Sequence, residues 1–316
     1  MTAASVREQF AETMRAVGRE DPRLVVLVGD ISHGILSGFR EAFPERYYNV
    51  GILEPTMISA AAGLARVGWV PVVHTIAPFI VERGFEQIKI DFAYHRLGGN
   101  FVTVGGAFDY SNLGVTHHCY DDFALFKGLP NAEIVAPGST AEFDLLFRQF
   151  YRSGHVTLYR IPGVQHGVPL EASAIVAGRA MLIRPGSDLT IIAAGPQLRS
   201  AVEAAPGLTA AGWDPEILYV HTVRPLDVEA VRASLAKTGR ALIIEEHMES
   251  GGLGDDVMRA VRDAPVRTAS LAIPDQFVTE YGTYDQHCER LGLTAAGVIA
   301  RVASVFGAAP TRAVRA

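Results

Sequence analysis

"YYNVGILEPTMISAAAGLA" occupies residues 47–65, and its reading decides the reading of the rest of the chain. Its opening, "YYNVGI", reads as a short strand, and the small and apolar run after Pro55 reads as a helix. One carboxylate, Glu54, stands at the junction, directly before a proline that suits the first turn of a helix. In an α/β protein such a junction lies at the sheet edge where ligands bind. On spacing alone the plainer reading of Glu54 is an acid favoured by the helix N-terminal dipole.

Outward from this stretch, strand-like and helix-like runs alternate. "RLVVLVGD" reads as a buried parallel strand, followed after Glu54 by "VPVVHTIA", "NFVTVGG", "AEIVAPG" and "VTLYRI". "MISAAAGLARVG" is a helix closed by Gly68, and "FIVERGFEQIKIDFAYHRL" reads as one long helix. The Gly- and Pro-rich stretch "IPGVQHGVPLEASA" has no periodicity and reads as a linker. A second α/β unit follows. The expectation is therefore an α/β chain of two doubly wound domains, residues 1–163 and 176–308, joined by a linker at 164–175, with a disordered tail at 309–316.

Composition removes several function classes. A net charge of −6 and the lack of a basic run with interleaved aromatics argue against nucleic acid or an acidic membrane as partner. No apolar stretch approaches the ~20 residues that span a bilayer. The first twenty residues read as an amphipathic helix with Val6, Phe10 and Met14 on one face, not as a signal peptide. Two cysteines, Cys119 and Cys288, make no disulfide framework, and a cytoplasmic location is the default expectation.

Four further segments could carry chemistry. "LGVTHHCYDD" gathers His117, His118, Cys119, Asp121 and Asp122. Adjacent residues on extended chain point apart, so His117 and His118 do not readily share a metal ion, and one catalytic histidine in a Gly-rich loop is the better functional reading beside a plain polar loop. "HTIAPFIVERGFEQIKID" offers Phe79, Arg83, Phe85 and Gln87, which by themselves read as core aromatics and a surface charge. "VGDISHG" is a Gly-rich loop without a nucleotide pattern. "SGGLG" at 250–254 could cradle an anion at a helix start, or be a tight turn.

In this order and spacing, these segments together with "HTVRPLD" and "IIEEHMESGGLGDDV" resemble the second half of the transketolase family of thiamine diphosphate enzymes. That half is a pyrimidine-binding domain followed by the transketolase C-terminal domain. The resemblance implies that Glu54 hydrogen-bonds the N1′ nitrogen of the cofactor's pyrimidine, exchanging the proton whose movement activates the cofactor. It implies that Phe79 lies against the pyrimidine face, with Arg83 and Phe85 as further cofactor-side residues and Asp30 in the loop near the thiazolium. His117 matches the histidine that faces the substrate, and Arg160 an arginine that holds the substrate phosphate. His118 and His33 depart from the family's usual residues and are expected on the substrate side.

The family also needs a G-D-G…N motif for Mg²⁺ and diphosphate. Gly29-Asp30 followed by Asn49 lacks the second glycine, and its gap is too short. The resemblance thus implies a split enzyme: an N-terminal-type partner subunit would hold Mg²⁺ and diphosphate, in an α2β2 heterotetramer. The implied reaction is transfer of a two-carbon ketol unit from a ketose, expected to be phosphorylated, to an aldose. The alternatives are a 2-oxo acid decarboxylating carboligase such as a deoxyxylulose-phosphate synthase, a 2-oxo acid dehydrogenase beta subunit, or a non-catalytic subunit that kept the fold.

Overall fold

The computed structural model describes residues 4–310. Of the expected tail at 309–316, residues 311–316 lie outside the described residues. The strands are β1 (Leu24–Val28), β2 (Tyr47–Asn49), β3 (Val70–Ile76), β4 (Gly99–Val104), β5 (Ala132–Val135), β6 (Val156–Ile161), β7 (Met181–Arg184), β8 (Leu189–Ala194), β9 (Pro215–Val220), β10 (Thr222–Arg224), β11 (Arg240–Met248) and β12 (Arg267–Ile273). They form a seven-stranded sheet, β10-β5-β6-β4-β3-β1-β2, and a five-stranded sheet, β12-β11-β8-β9-β7. Within each sheet the pairs are parallel except at one edge, where β10 and β7 run antiparallel. All residues of β1, β4, β5 and β6 are buried, as expected of strands covered by helices on both faces.

Because β1, β2, β3 and β4 are parallel neighbours, the loops after them open on one edge. Those loops carry Asp30, Glu54, Phe79 and His117 respectively. The helix Glu54–Arg66 buries Met57, Ile58, Ala61 and Ala62, so its small residues let it lie close on the sheet. The N-terminal helix Val6–Glu20 starts with a capping box between Ser5 and Glu8 and buries Val6, Phe10 and Met14.

Two expectations change. The long helix after β3 is broken into Ala77–Val81, Phe85–Gln87 and a π-helical Ile88–Tyr94. The break is a close-packing effect: a Cβ on Gly84 would fall 2.2 Å from Ile58 Cδ1 and 2.8 Å from the Ile80 carbonyl oxygen. The second change concerns the two halves, which are not held by a linker alone. Strand β10 belongs to the second half by sequence but pairs with β5, in register Thr222↔Val135, as the edge of the first sheet. The stretch 164–175 is pinned as well: His166 N–H donates to the Gly138 carbonyl, and its Nε2 lies 2.6 Å from Glu142 Oε1. The hydroxyl of Tyr219, on β9, donates to the other oxygen of Glu142 at 2.6 Å.

Candidate active site

Glu54 is the first residue of its helix, and its side chain is 1% exposed. Oε2 accepts a hydrogen bond from Arg83 Nη1 at 2.7 Å. Oε1 is buried and has no partner among the described residues. Gly29, at the end of β1, faces that oxygen; a Cβ there would lie 3.6 Å from Oε1. The helix dipole favours an acid at this position. It does not supply the missing donor, and leaving such an oxygen unsatisfied costs roughly 1–3 kcal/mol. A donor from a bound molecule is what the geometry lacks.

Three more of the expected residues converge beside it. The Arg83 guanidinium carbon lies 4.2 Å from the centre of the Phe79 ring. The His117 ring meets Phe79 edge-on, with centroids 5.5 Å apart at 65°. His117 Nδ1 is 3.0 Å from Thr116 Oγ1. Glu54, Arg83, Phe79 and His117 thus form one contiguous row: carboxylate, cation, aromatic face, imidazole. The segments after β2, β3 and β4 supply it, with β1 between β3 and β2 in the sheet.

The Asp30 loop borders this row through Gly29 and is held in a strained form. Asp30 and Ser32 have φ of 53° and 59°, a region that non-glycine residues rarely occupy. Asn49 fixes the first by accepting from Asp30 N–H at 3.1 Å and donating to Asp30 Oδ1 at 3.0 Å. The second is fixed by Ser32 Oγ, which accepts from Arg7 Nε at 2.9 Å and lies 2.7 Å from His74 Nε2. His74 Nδ1 lies 2.8 Å from the Val102 carbonyl oxygen, and burial lowers its pKa to about 4. A neutral ring that donates from Nδ1 accepts the Ser32 hydroxyl at Nε2. His33 is exposed on the same loop, 4.0 Å from Asp30 Oδ1.

Other expected site residues lie elsewhere. His118 is buried against Tyr120 and His287, while His117 lies against Phe79. Burial, then neighbouring His287, lowers its pKa to about 4, and its Nε2 has no partner among the described residues. Arg160 is 9% exposed, with Nε 3.2 Å from Asp122 Oδ2 and Nη2 donating to the Glu246 carbonyl at 2.6 Å. It fastens the two halves together through these contacts, and its remaining surface lines a small cavity shared with Asp109, Phe123 and Glu246. Phe85 is half-buried and packs against the core that holds Met57, Ile58 and Ile88. The 250–254 loop does cradle an anion, but the anion is internal. Leu253 and Gly254 N–H groups donate to Glu245 at 2.7 and 2.8 Å.

Glu82, Cys119 and Asp121 bring three ligand-type atoms within 4.8 Å of one another. Burial pushes the Cys119 thiol well above its usual pKa, which opposes thiolate ligation. Sequence reading missed the Arg7–Ser32–His74 support and the Arg83–Glu54 contact; the residue pattern by itself read Arg83 as a surface charge, and the resemblance put it on the cofactor side. The signal for Arg83 was its position four residues after Phe79, which places the two on one face.

The chain as a whole is similar to known proteins in sequence and in fold. Residues 2–161 match the transketolase pyrimidine-binding domain, and residues 178–298 the transketolase C-terminal domain. The chain is 32% identical over 298 residues to one of the subunits of the apulose-4-phosphate transketolase of Phocaeicola vulgatus, covering 92% of this chain and 94% of that one. It is 30% identical over 299 residues to the 6-deoxy-6-sulfo-D-fructose transketolase subunit SqwH of a Clostridium species, covering 93% and 92%. It is 33% identical to the 1-deoxy-D-xylulose-5-phosphate synthase of Heliobacterium modesticaldum, covering 93% of this chain but 46% of the relative. A solved structure described as a split gene transketolase, inactive beta4 tetramer, superposes with a TM-score of 0.87 at 28% identity, covering 97% of this chain and 99% of that one. With both domain types matched in order across nearly its whole length, this chain belongs to the transketolase family.

Proposed function

We propose that the chain is the pyrimidine-binding subunit of a two-chain, thiamine diphosphate-dependent transketolase that moves a two-carbon ketol unit from a ketose to an aldose. The observation that carries this reading is the buried, unpartnered Oε1 of Glu54, whose other oxygen is held by the Arg83 that lies over the Phe79 ring. Those residues fit the pyrimidine half of the cofactor. Glu54 would hold and return a proton at the ring nitrogen N1′, Phe79 would give the ring an apolar face, and Arg83 keeps the carboxylate in place. When bound, the cofactor supplies a carbon acid that acts as a nucleophile toward carbonyl carbons. His117, at the open end of the row, would move a proton at the oxygen of the reacting carbonyl.

The residues of this chain do not fit the Mg²⁺ and diphosphate half. Asp30 and Asn49, its G-D…N pair, are hydrogen-bonded to each other. Mg²⁺ and diphosphate are therefore assigned to an N-terminal-type partner subunit, in an α2β2 assembly. Exposed apolar side chains on the segments that carry Glu54 and His117, namely Ile52, Leu53, Leu113 and Val115, support a covering chain. So do relatives described as a transketolase subunit and as an inactive beta4 tetramer. An anionic ketose is the substrate class that the two subunit relatives' names support. Among the described residues no helix is long and apolar enough to cross a membrane.

The test is reconstitution with a G-D-G…N partner chain and assay with ketose phosphate against pyruvate. Ketol transfer from the ketose supports the reading. Consumption of pyruvate alone would move the assignment to the deoxyxylulose-phosphate synthase type. Activity unaffected by Glu54→Ala would remove Glu54 from the mechanism.

A further inference from the structure

The loop that bears His117 is closed on itself by one bridge, in which Ala107 and Cys119 exchange N–H···O bonds of 2.7 and 2.9 Å, but the stretch between them is also held from outside. Between the end of β4 and the helix Asp122–Lys127, residues 105–121 have no strand or α-helix. Several of their fixed points come from the second domain. His287, fully buried in the helix Tyr284–Leu291, reaches the Ser111 carbonyl with Nε2 at 3.1 Å. Its ring packs on Phe108 at 5.5 Å and edge-on against His118 at 5.8 Å. Tyr284, one turn earlier, packs on Phe108 at 5.4 Å. Tyr281 lies over Gly114, where a Cβ would come within 2.9 Å of its ring. Gly114 has a φ of +75°, and its carbonyl accepts the His117 N–H at 2.9 Å.

The segment that does this is itself anchored. Val278 is buried in the core, Arg290 Nη1 donates to the Tyr281 carbonyl at 3.1 Å, and Thr283 and Gln286 make a capping box that fixes the start of the helix. His287 Nδ1 is buried without a hydrogen-bond partner among the described residues. A leucine would fill the same space without that penalty, so the imidazole is retained for what Nε2 holds.

We propose that His287 is a positioning residue of the active site and, with Tyr281, sets the placement of His117 from the C-terminal domain. It acts through Ser111 and Gly114 and touches neither cofactor nor substrate. The Ser111 carbonyl fixes one end of a seven-residue stretch, and Gly114, in its middle, is held under the Tyr281 ring. His117 lies at the other end. A shift of about 1 Å in a residue that moves a proton lowers turnover by roughly 10²-fold. The C-terminal domain would thereby act on catalysis as well as on assembly.

The inference rests on the transketolase reading for its kinetic arm only. Amide hydrogen exchange of His287→Ala, His287→Gln and Tyr281→Ala is compared with wild type, in the chain and in the reconstituted pair. We expect faster exchange confined to 108–118 in His287→Ala, partly restored by His287→Gln, whose amide can still donate to Ser111. In the pair, kcat/KM for the sugar should fall at least ~10-fold in His287→Ala and several-fold in Tyr281→Ala, with the half-saturating cofactor concentration unchanged. Tyr281 is 67% exposed, so that variant folds even where His287→Ala does not. Unchanged exchange in 108–118 in Tyr281→Ala, or in a folded His287→Ala, would overturn the proposal, as would equal losses in cofactor and sugar affinity. A wild-type pair without ketol transfer would overturn the functional reading instead, and the exchange data would still decide this one.

Discussion

Arg83 binds one oxygen of Glu54 at 2.7 Å and leaves the other, equally buried, without a donor. A protein that gained only stability from this carboxylate would pair both oxygens or replace the acid. Half of the group is held still and half is left available, which is the arrangement a proton-exchanging residue requires.

The pair has a measurable coupling. Arg83 is nearly half exposed, so solvent screens it. We expect a double-mutant cycle of Arg83→Ala and Glu54→Gln to give about 1 kcal/mol in denaturant unfolding of the chain. Glu54→Gln alone should be neutral or stabilising, because it removes a buried charge with an unsatisfied oxygen. Additivity of the two single effects would contradict the pairing.

Phe79 and Phe85 were both expected at the cofactor, and the structure separates them. Phe79→Ala should raise the half-saturating thiamine diphosphate concentration of the reconstituted enzyme ~3–10-fold, matching the usual worth of an aromatic contact, with little loss of stability. Phe85→Ala should leave half-saturation unchanged and lower stability by about 2–3 kcal/mol. Activity titrations with cofactor and urea unfolding of each variant decide the matter.

Asp109 sets a pH dependence. Burial raises its pKa from 3.8 to about 7, with Glu246 adding to the rise. Between those values the folded chain binds a proton that the unfolded chain releases, so stability falls as pH rises, by up to about 1.4 kcal/mol per pH unit from this group. Asp109→Asn keeps an acceptor for the Gly163 N–H, which now bonds Asp109 Oδ2 at 2.8 Å. The variant should unfold with a flatter pH profile between pH 4 and 7 and exceed wild type above pH 7. An unchanged profile would remove Asp109 as the source.

Arg160 tests the correction made to its role. Arg160→Met should lower the stability of the chain, because it strips the guanidinium from Asp122 and the Glu246 carbonyl. The ratio of KM for phosphorylated and unphosphorylated ketoses should stay within about two-fold, well under the tenfold change that about 1.4 kcal/mol of lost phosphate binding would give. A selective loss of the phosphorylated substrate would restore the phosphate-holding role.

The strand series was legible because fully buried parallel strands leave unbroken apolar runs, as in "LVVLV" of β1. Glu54 and Phe79 follow β2 and β3 closely, where a parallel sheet sends its connections, whereas His117 lies deep in the loop after β4; the resemblance, not the spacing, singled out all three. The break at Gly84 was not legible, because it depends on Ile58 from another helix. Nor was the sheet-crossing strand β10, whose three residues follow β9 after a single intervening residue, His221. The surroundings of Arg160 and His118 were not legible for a common reason. Sequence gives their place in a motif, whereas burial decides whether a side chain faces the site or the domain interface.

The most direct test of the central claim is ketol transfer measured in four samples: this chain alone, a G-D-G…N partner alone, the two mixed, and the mixture with Glu54→Gln. We expect turnover only in the wild-type mixture, with Glu54→Gln lowering kcat by ~10²–10⁴-fold while the subunits still assemble. Turnover by this chain alone at the rate of the mixture, or an undiminished Glu54→Gln mixture, would contradict the account.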